Sequence, residues 1–487
     1  MKQLFDVGRI SAIIALIISY TTFISCDNDN DFNLDGKIAF SVNGERYEID
    51  LTSTEEVNLT TLSTEFDTEF EFYNAKSFTK LAVNGIDVPK SNKLSLHIDK
   101  ISKNEKIKIS YSTSDKNGQI TLNTLHNNIP EMEVEGKAKI DGDFYFSYSI
   151  LRLILKCDND GNITFYRHKP FNITDKDIMN GWWDFKKHTY NGKTYYSYHA
   201  HDPNFTDIGF PGYNPGMRVL LDERYRTIKT IHLEESRDKT VKKGHPIDGH
   251  DFYFFSPDHY ILSSYIDRNI GGRVLSVSYL QEVKDGKVIF DWWSSDHKET
   301  LSWTNENFDT SYDYIHFNSI QVLPDGNWLC SFRHICSIMK IDRVGKTGDI
   351  IWRIAGNELD EKYRFFGQHY ATLHNDNTIT LFDNGNGHTP AKTRILRLTI
   401  DPNNGSVVGG GDILANNDGY FAMACGSAQL IDNGYIVGWG IPGNANGSHN
   451  RLVAEYNSVG EKIFEVNQMG EYLNNVLRAS YRCVKYK

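Results

Sequence analysis

Proline is scarce in this chain, 12 residues in 487, cysteine is scarcer still at 6, and few segments read as helix. With 38 glycines and 13% aromatic residues, 27 Tyr and 27 Phe among them, that composition favours turn-rich β structure over long helices. A basic excess is also missing. Lys and Arg number 52 against 63 Asp and Glu, a formal charge of -11, which argues against nucleic acid as a partner because phosphate binding needs a basic surface. The cysteines show no CxxC or zinc-finger spacing. With Cys26 set aside, Cys157, Cys330, Cys336, Cys425 and Cys483 remain, an odd set that reads as buried thiols. The chain is too long for one ordinary core and long enough for a small domain beside a large closed one.

The first residues bear on compartment. Lys2 and Arg9 precede an apolar run from Ile10 through Tyr20, too short for a comfortable membrane span and suited to the core of a signal peptide. The run closes on Phe23-Ile24-Ser25-Cys26, which resembles a lipobox, and Asp27-Asn28-Asp29-Asn30-Asp31 behind it reads as a solvated acidic tether. Residues 1–25 are therefore expected to be a lipoprotein-type signal peptide and 26–36 a tether. Cys26 would carry a lipid that anchors the protein in the cell envelope, on the periplasmic face or the surface of the outer membrane.

Residues 37–142 alternate apolar and polar positions in short runs, such as Lys37 to Val42, Glu69 to Tyr73, Lys106 to Tyr111 and Ile120 to Leu125. Asn43-Gly44 and Asn84-Gly85 mark hairpins, since Asn-Gly tolerates the positive φ of a tight turn. About seven short strands in this space predict an immunoglobulin-like β-sandwich.

Beyond Asp141 the texture becomes a repeat with a period of tens of residues, which in a β-rich chain means propeller blades. Four units align, opening at His250, His316, His369 and Ser427, each a strand, a turn and a strand. A fifth begins near Trp182-Trp183-Asp184. The sixth is split: Ile150 to Leu155 and Ile163 to Tyr166 read as outer strands, and Val476 to Tyr486 at the chain's end supplies what is missing. The expectation is an all-β chain, a sandwich followed by a six-bladed β-propeller over residues 143–487, closed by strands from both ends. The same closure would bring Cys157 toward Cys483.

Innermost strands of a propeller face one channel, so residues at equivalent positions of the repeat converge there. Three of the four matched openings are histidine, a costly packing residue with two polar nitrogens to satisfy. Arg333 ends the strand after the Asp325-Gly326 turn and returns toward His316, and strand alternation points Asn318 the same way. An arginine among imidazoles makes a pocket for a compact oxyanion.

The runs Tyr314-Ile315-His316-Phe317-Asn318-Ser319-Ile320, Ser331-Phe332-Arg333-His334, Lys340-Ile341-Asp342-Arg343 with Trp352, Gly367-Gln368-His369 and Phe382-Asp383-Asn384-Gly385 resemble the arylsulfate sulfotransferases, bacterial exported enzymes that use no nucleotide donor. The resemblance implies a six-bladed propeller that moves a sulfuryl group from an aryl sulfate ester to a phenolic acceptor. It also implies a ping-pong route through a sulfohistidine, with His369 as the nucleophile and His250, His316 and Arg333 as its catalytic partners. Asn318 and Ser427 resemble further substrate-binding residues. His245 competes with His250 for its place, but the hydrophobic strand follows His250 directly. Neither a cofactor nor a metal is expected, and the small-molecule partners are a phenolic sulfate and a phenol. Selectivity for aryl groups would come from channel-mouth aromatics, among which Tyr195, Tyr196, Tyr198, Phe252 and Tyr370 are candidates. Two other readings stand beside this one: a metal-binding propeller enzyme using the histidines as ligands, and a non-catalytic surface binding or adhesion lipoprotein.

Overall fold

The computed structural model describes residues 36–52, 56–127, 129–148, 151–169, 181–202, 212–307, 312–414, 419–443, 450–468 and 479–487. Cys26 and the apolar run before it lie outside these residues, as do Ile150 and Val476. The chain is all-β, as composition and periodicity predict; among the described residues the helices are short 3-10 turns, such as Lys298–Ser302.

Two sheets come from residues before 124. One runs Glu45–Asp50, Lys37–Val42, Thr68–Phe72, Lys93–Leu96, and the other Val57–Asn58, Asn117–Asn123, Lys106–Ser112, Lys80–Val83, Ile86–Asp87. Thr68–Phe72 and Lys106–Ser112 bury every second residue, so each offers one apolar face. Ile38, Phe40 and Phe70 of one sheet share a core with Ile107, Ile109 and Leu122 of the other. Both Asn-Gly turns form with positive φ at each residue.

Six larger sheets follow, and four of them are continuous in sequence. They span Trp183–Tyr190 to Thr227–Ile231, Tyr253–Ser256 to Lys287–Trp293, Phe317–Val322 to Ile350–Ala355, and His369–Leu373 to Val407–Asp412. A further sheet orders Ser427–Ile431, Gly434–Gly438, Asn450–Tyr456 and Lys462–Gln468, then adds Met132–Gly136 at its edge. The remaining one begins with the chain's end: Ser480–Tyr486 pairs antiparallel with Asp143–Tyr148, followed by Leu153–Cys157, Ile163–His168 and Thr61–Ser63. The first strands touch in succession, Ser480–Tyr486 against Trp183–Tyr190, then Tyr253–Ser256, Phe317–Val322, His369–Leu373 and Ser427–Ile431, which meets Ser480–Tyr486 again.

Two edge strands cross the sequence boundary near residue 142. Met132–Gly136, grouped with the sandwich on sequence, covers an edge of a later sheet, and Thr61–Ser63 does the same for another. The apolar core follows them: Phe40 and Ile109 belong to the same cluster as Phe144, Leu155 and Val466. Cys157 and Cys483 are free buried thiols. They flank opposite sides of Asp143–Tyr148, facing Phe144 and Phe146, so a whole strand separates them and no bridge forms.

Candidate active site

Three imidazoles meet where the first strands of neighbouring sheets begin. His250 precedes Tyr253–Ser256, His316 precedes Phe317–Val322, and His369 opens His369–Leu373. The ring of His250 lies 4.8 Å from that of His316 and 6.5 Å from that of His369. All three side chains are buried. Irregular backbone aims them: His316 has φ +55° and Tyr370 φ +54°, and the ladder slips between Phe317 and Ser319 and between His369 and Thr372. Left-handed backbone at non-glycine residues beside a bulge is a costly local feature that re-aims side chains.

Every ring is anchored through Nδ1. His250 Nδ1 lies 2.8 Å from Asp248 Oδ2, and His316 Nδ1 bonds Asp313 Oδ2. The Asp313 carboxylate also faces His334, whose Nδ1 lies 2.7 Å from the Asp313 carbonyl oxygen. His369 Nδ1 lies 2.7 Å from Asn384 Oδ1 and 3.1 Å from the Gly367 carbonyl oxygen. Carbonyls and ionised carboxylates only accept, which assigns the ring proton to Nδ1 and leaves a lone pair on Nε2. Among the described residues no hydrogen bond reaches Nε2 of His250, His316 or His369.

Arg333 adds the positive charge. Its backbone N–H donates to the His316 carbonyl at 2.8 Å, which fixes the returning strand beside His316 as the hairpin predicts. Its Nη2 donates to the Met423 carbonyl at 3.2 Å, and among the described residues its buried Nε has no hydrogen-bond partner. Burial, then Arg333 and His250, hold His369 well below the usual imidazole range. Burial, then His250 and Arg333, do the same for His316. His316 and His369 are therefore neutral at rest.

Asn318 and Ser427 are both fully buried, with different attachments. Asn318 Nδ2 donates to the Gln368 carbonyl at 2.6 Å, next to His369, and its Oδ1 has no hydrogen-bond partner among the described residues. The bulge at Phe317 means that simple alternation from His316 does not set its direction. The Ser427 hydroxyl donates to the Cys483 carbonyl at 2.6 Å and ties its strand to the chain's end. His245 bonds the Pro246 carbonyl through Nδ1 and stands apart from the cluster.

Beneath the imidazoles lies a buried ionic network. Asp184 takes Arg218 at 3.0 Å and Arg482 at 2.8 Å, and Arg482 donates to the Asn318 carbonyl at 3.1 Å. Tyr370 sits against the Arg482 guanidinium, 4.7 Å from ring centre to Cζ. Tyr196, Tyr198 and Phe252 are buried in sheet packing, and Tyr195 lies against Phe254. Tyr196, Tyr198 and Phe252 are thus packing residues, while Tyr195 and Tyr370 are half-buried.

Sequence reasoning did not single out Asp248, Asp313, His334 or Asn384. The first two had a local signal, an aspartate two or three residues before each histidine. Among the described residues Asp313, His316 and His334 are the set whose ligand atoms lie within 4.8 Å of one another. Arg333 disfavours positive charge on both His316 and His334, which opposes a cation there.

An all-β chain with buried imidazoles, each backed by an acceptor and set beside a guanidinium, has the features of an enzyme that handles a compact oxyanion. A family model described as Arylsulfotransferase (ASST) matches residues 203–469, more than half of the chain, so the protein belongs to the arylsulfotransferase family. No curated protein matches the chain. Solved structures similar to it include a protein of unknown function from Bacteroides caccae, at 11% identity over 72% of this chain and 100% of that one, with a TM-score of 0.42. A second is a catalytically inactive virginiamycin B lyase from Staphylococcus aureus with quinupristin, at 10% identity over 88% of this chain and 100% of that one, with a TM-score of 0.33. Likeness at these scores bears on neither fold nor activity.

Proposed function

We propose that the protein transfers a sulfuryl group from an aryl sulfate ester to a phenol by double displacement through a covalent intermediate on His369. The observation that carries this is the anchored Nδ1 of His369, which leaves Nε2 as a lone pair beside Arg333 and His250. In the first half-reaction Nε2 attacks sulfur, the bond from sulfur to the aryl oxygen breaks, and the phenoxide leaves with the bonding pair. Sulfuryl transfer, like phosphoryl transfer, passes through a loose transition state with charge on the equatorial and leaving oxygens. Arg333 supplies the matching donor, since its Nε has no hydrogen-bond partner among the described residues. The phenoxide is protonated from solvent after it leaves, and the bare Nε2 of His250 or His316 takes the proton of the acceptor phenol in the second half-reaction and then returns it to solvent.

The six larger sheets are read as blades of one closed six-bladed propeller over residues 143–487, since their first strands touch in a series that returns to its start. The two sheets of residues 37–142 are read as an immunoglobulin-like sandwich. The apolar leader and the lipobox-like run ending at Cys26 support a lipid-anchored location in the cell envelope. Incubation with a chromogenic aryl sulfate alone tests the activity: one phenol per active site should appear, with an acid-labile sulfuryl group on the intact protein. His369→Asn should abolish both. Release of phenol with no label on the protein would defeat the covalent route.

A further inference from the structure

The three site histidines differ in what holds Nδ1. His250 and His316 face the carboxylates of Asp248 and Asp313, whereas His369 faces the amide of Asn384. The orientation of that amide follows from its other bonds. Asn384 Nδ2 donates to the Ala422 carbonyl at 2.9 Å and to the Cys425 carbonyl at 3.0 Å, and both can only accept. Oδ1 is therefore the atom that meets His369 Nδ1 at 2.7 Å. A flipped amide would take the donor from two buried carbonyls, leaving the Ala422 carbonyl only Thr393 Oγ1 at 3.5 Å, and would set a donor against the ring, where each unmet group costs about 1–3 kcal/mol. The backbone is held as well: Thr393 Oγ1 donates to the Asn384 carbonyl at 3.1 Å and accepts the Ala422 N–H at 2.7 Å.

The chemical difference between these partners matters during group transfer. A carboxylate can accept a hydrogen bond or take the proton outright, and it stabilises an imidazolium; an amide oxygen can accept the bond but does not take the proton. We propose that Asn384 is a positioning residue that keeps the proton on Nδ1 of His369 through the whole transfer cycle, so that Nε2 takes the sulfuryl group and the nitrogen–sulfur bond stays labile.

This rests on the sulfuryl-transfer reading of the site. Neutral His369 and the aryl sulfate anion give a sulfated ring and a phenoxide. The ring then carries one positive charge, with its proton still on Nδ1, and the sulfuryl group carries the negative one. A cationic imidazole is a good leaving group. When the acceptor phenolate oxygen attacks sulfur, the nitrogen–sulfur bond breaks, the pair returns to Nε2, and neutral His369 is regenerated. A base that removed the Nδ1 proton would leave a neutral sulfated ring, a poorer leaving group, and would stall the second half-reaction. The charged and titratable groups that face His369 from other sheets are Arg333, His250 and His316, and none of them bonds its Nδ1.

Nitrogen-15 NMR of histidine-labelled protein at neutral pH, with His369 assigned by comparison with His369→Asn, reads the tautomer directly. A protonated Nδ1 and a bare Nε2 are expected; an Nε2–H tautomer overturns the proposal whether or not sulfuryl transfer occurs. In Asn384→Asp the new carboxylate favours the imidazolium, so the acid limb of the phenol burst should rise by about one pH unit or more. The labelled intermediate should also outlast the parent's, by about tenfold or more in the presence of phenol. An unchanged limb and lifetime would overturn the proposal. Thr393→Val loosens the same loop without touching His369, and should lower the melting temperature while leaving limb and lifetime in place. If it moves them as much as Asn384→Asp does, the role is structural and the proposal falls. If Asn384→Asp does not fold, the tautomer decides. Absence of a burst from the parent protein would sink the sulfuryl-transfer reading alone, with the tautomer still measured.

Discussion

The ammonium of Lys485 meets the carboxylate of Glu455 at 3.0 Å, and neither side chain has any exposed surface. Lys485 lies on Ser480–Tyr486 and Glu455 on Asn450–Tyr456 of the neighbouring sheet. The other carboxylate oxygen of Glu455 accepts the backbone N–H groups of Lys139 and Ile140, at 2.7 and 2.9 Å. One buried carboxylate thus clamps the last strand, an adjacent sheet and the segment that enters the larger assembly.

Lys485→Met strands that carboxylate without a countercharge and should cost about 3–5 kcal/mol, visible as a lower melting temperature. Pairing it with Glu455→Gln should recover part of the loss, because an amide oxygen still accepts from Lys139 and Ile140. Equal melting temperatures for the parent and Lys485→Met would contradict the clamp.

The inner hairpins were legible in the sequence because turn residues recur at similar offsets from each unit's opening: Pro324-Asp325-Gly326 after His316, Asp376-Asn377 after His369, Asp432-Asn433-Gly434 after Ser427. The pairing of Ser480–Tyr486 with a sheet that begins near residue 143 was legible because one unit lacked its inner strands. Met132–Gly136 and Thr61–Ser63 were not placed, since an edge strand's partner lies far off in sequence and leaves no local mark. At the site, the histidines and Arg333 stood out by position in the repeat. Asn384 fell inside a quoted run without a role, because its function depends on which way a buried amide points. Asp248 and Asp313 were lost among 63 acidic residues.

His126, just beyond Asn117–Asn123, and His168, which ends Ile163–His168, form a second buried imidazole pair, with ring centres 4.4 Å apart. Burial pushes His126 down to about 4, and burial with His126 beside it pushes His168 down to about 3. Both folded values lie below the ordinary 6.5, so the unfolded chain binds more protons between them. Stability is whole above pH 6.5 and falls as pH drops toward 4, by on the order of a few kcal/mol for the pair. Melting temperatures measured from pH 7 to 4.5 should decline, and His126→Phe with His168→Phe should flatten the slope. A slope that the double substitution leaves alone would assign the decline to other groups.

Cys26→Ser should move the protein from the membrane fraction to the soluble one, since the apolar run before Cys26 is short and the run after it is wholly polar. The check is fractionation of cells expressing the full chain. Retention of the variant on membranes would remove Cys26 as the anchor.

Arg333 has a double effect on the reaction, and the two parts pull in different directions. Among the described residues its buried Nε has no hydrogen-bond partner; if that donor serves the transferring oxygens as proposed, losing it costs about 10²-fold or more in turnover. It also helps hold His369 well below the usual imidazole range, second only to burial. A depressed value keeps the nucleophile neutral at mildly acidic pH, so the acid limb of turnover in the parent should lie well below 6.5. Arg333→Leu removes a cation that disfavours the imidazolium, so His369 protonates more easily and the limb moves upward. The expected result is a large fall in the plateau rate together with a rise of the acid limb, measured by turnover of a chromogenic aryl sulfate across pH. A fall in rate with the limb fixed would leave Arg333 as an oxyanion donor only, and a limb above 6.5 in the parent would contradict a buried neutral nucleophile.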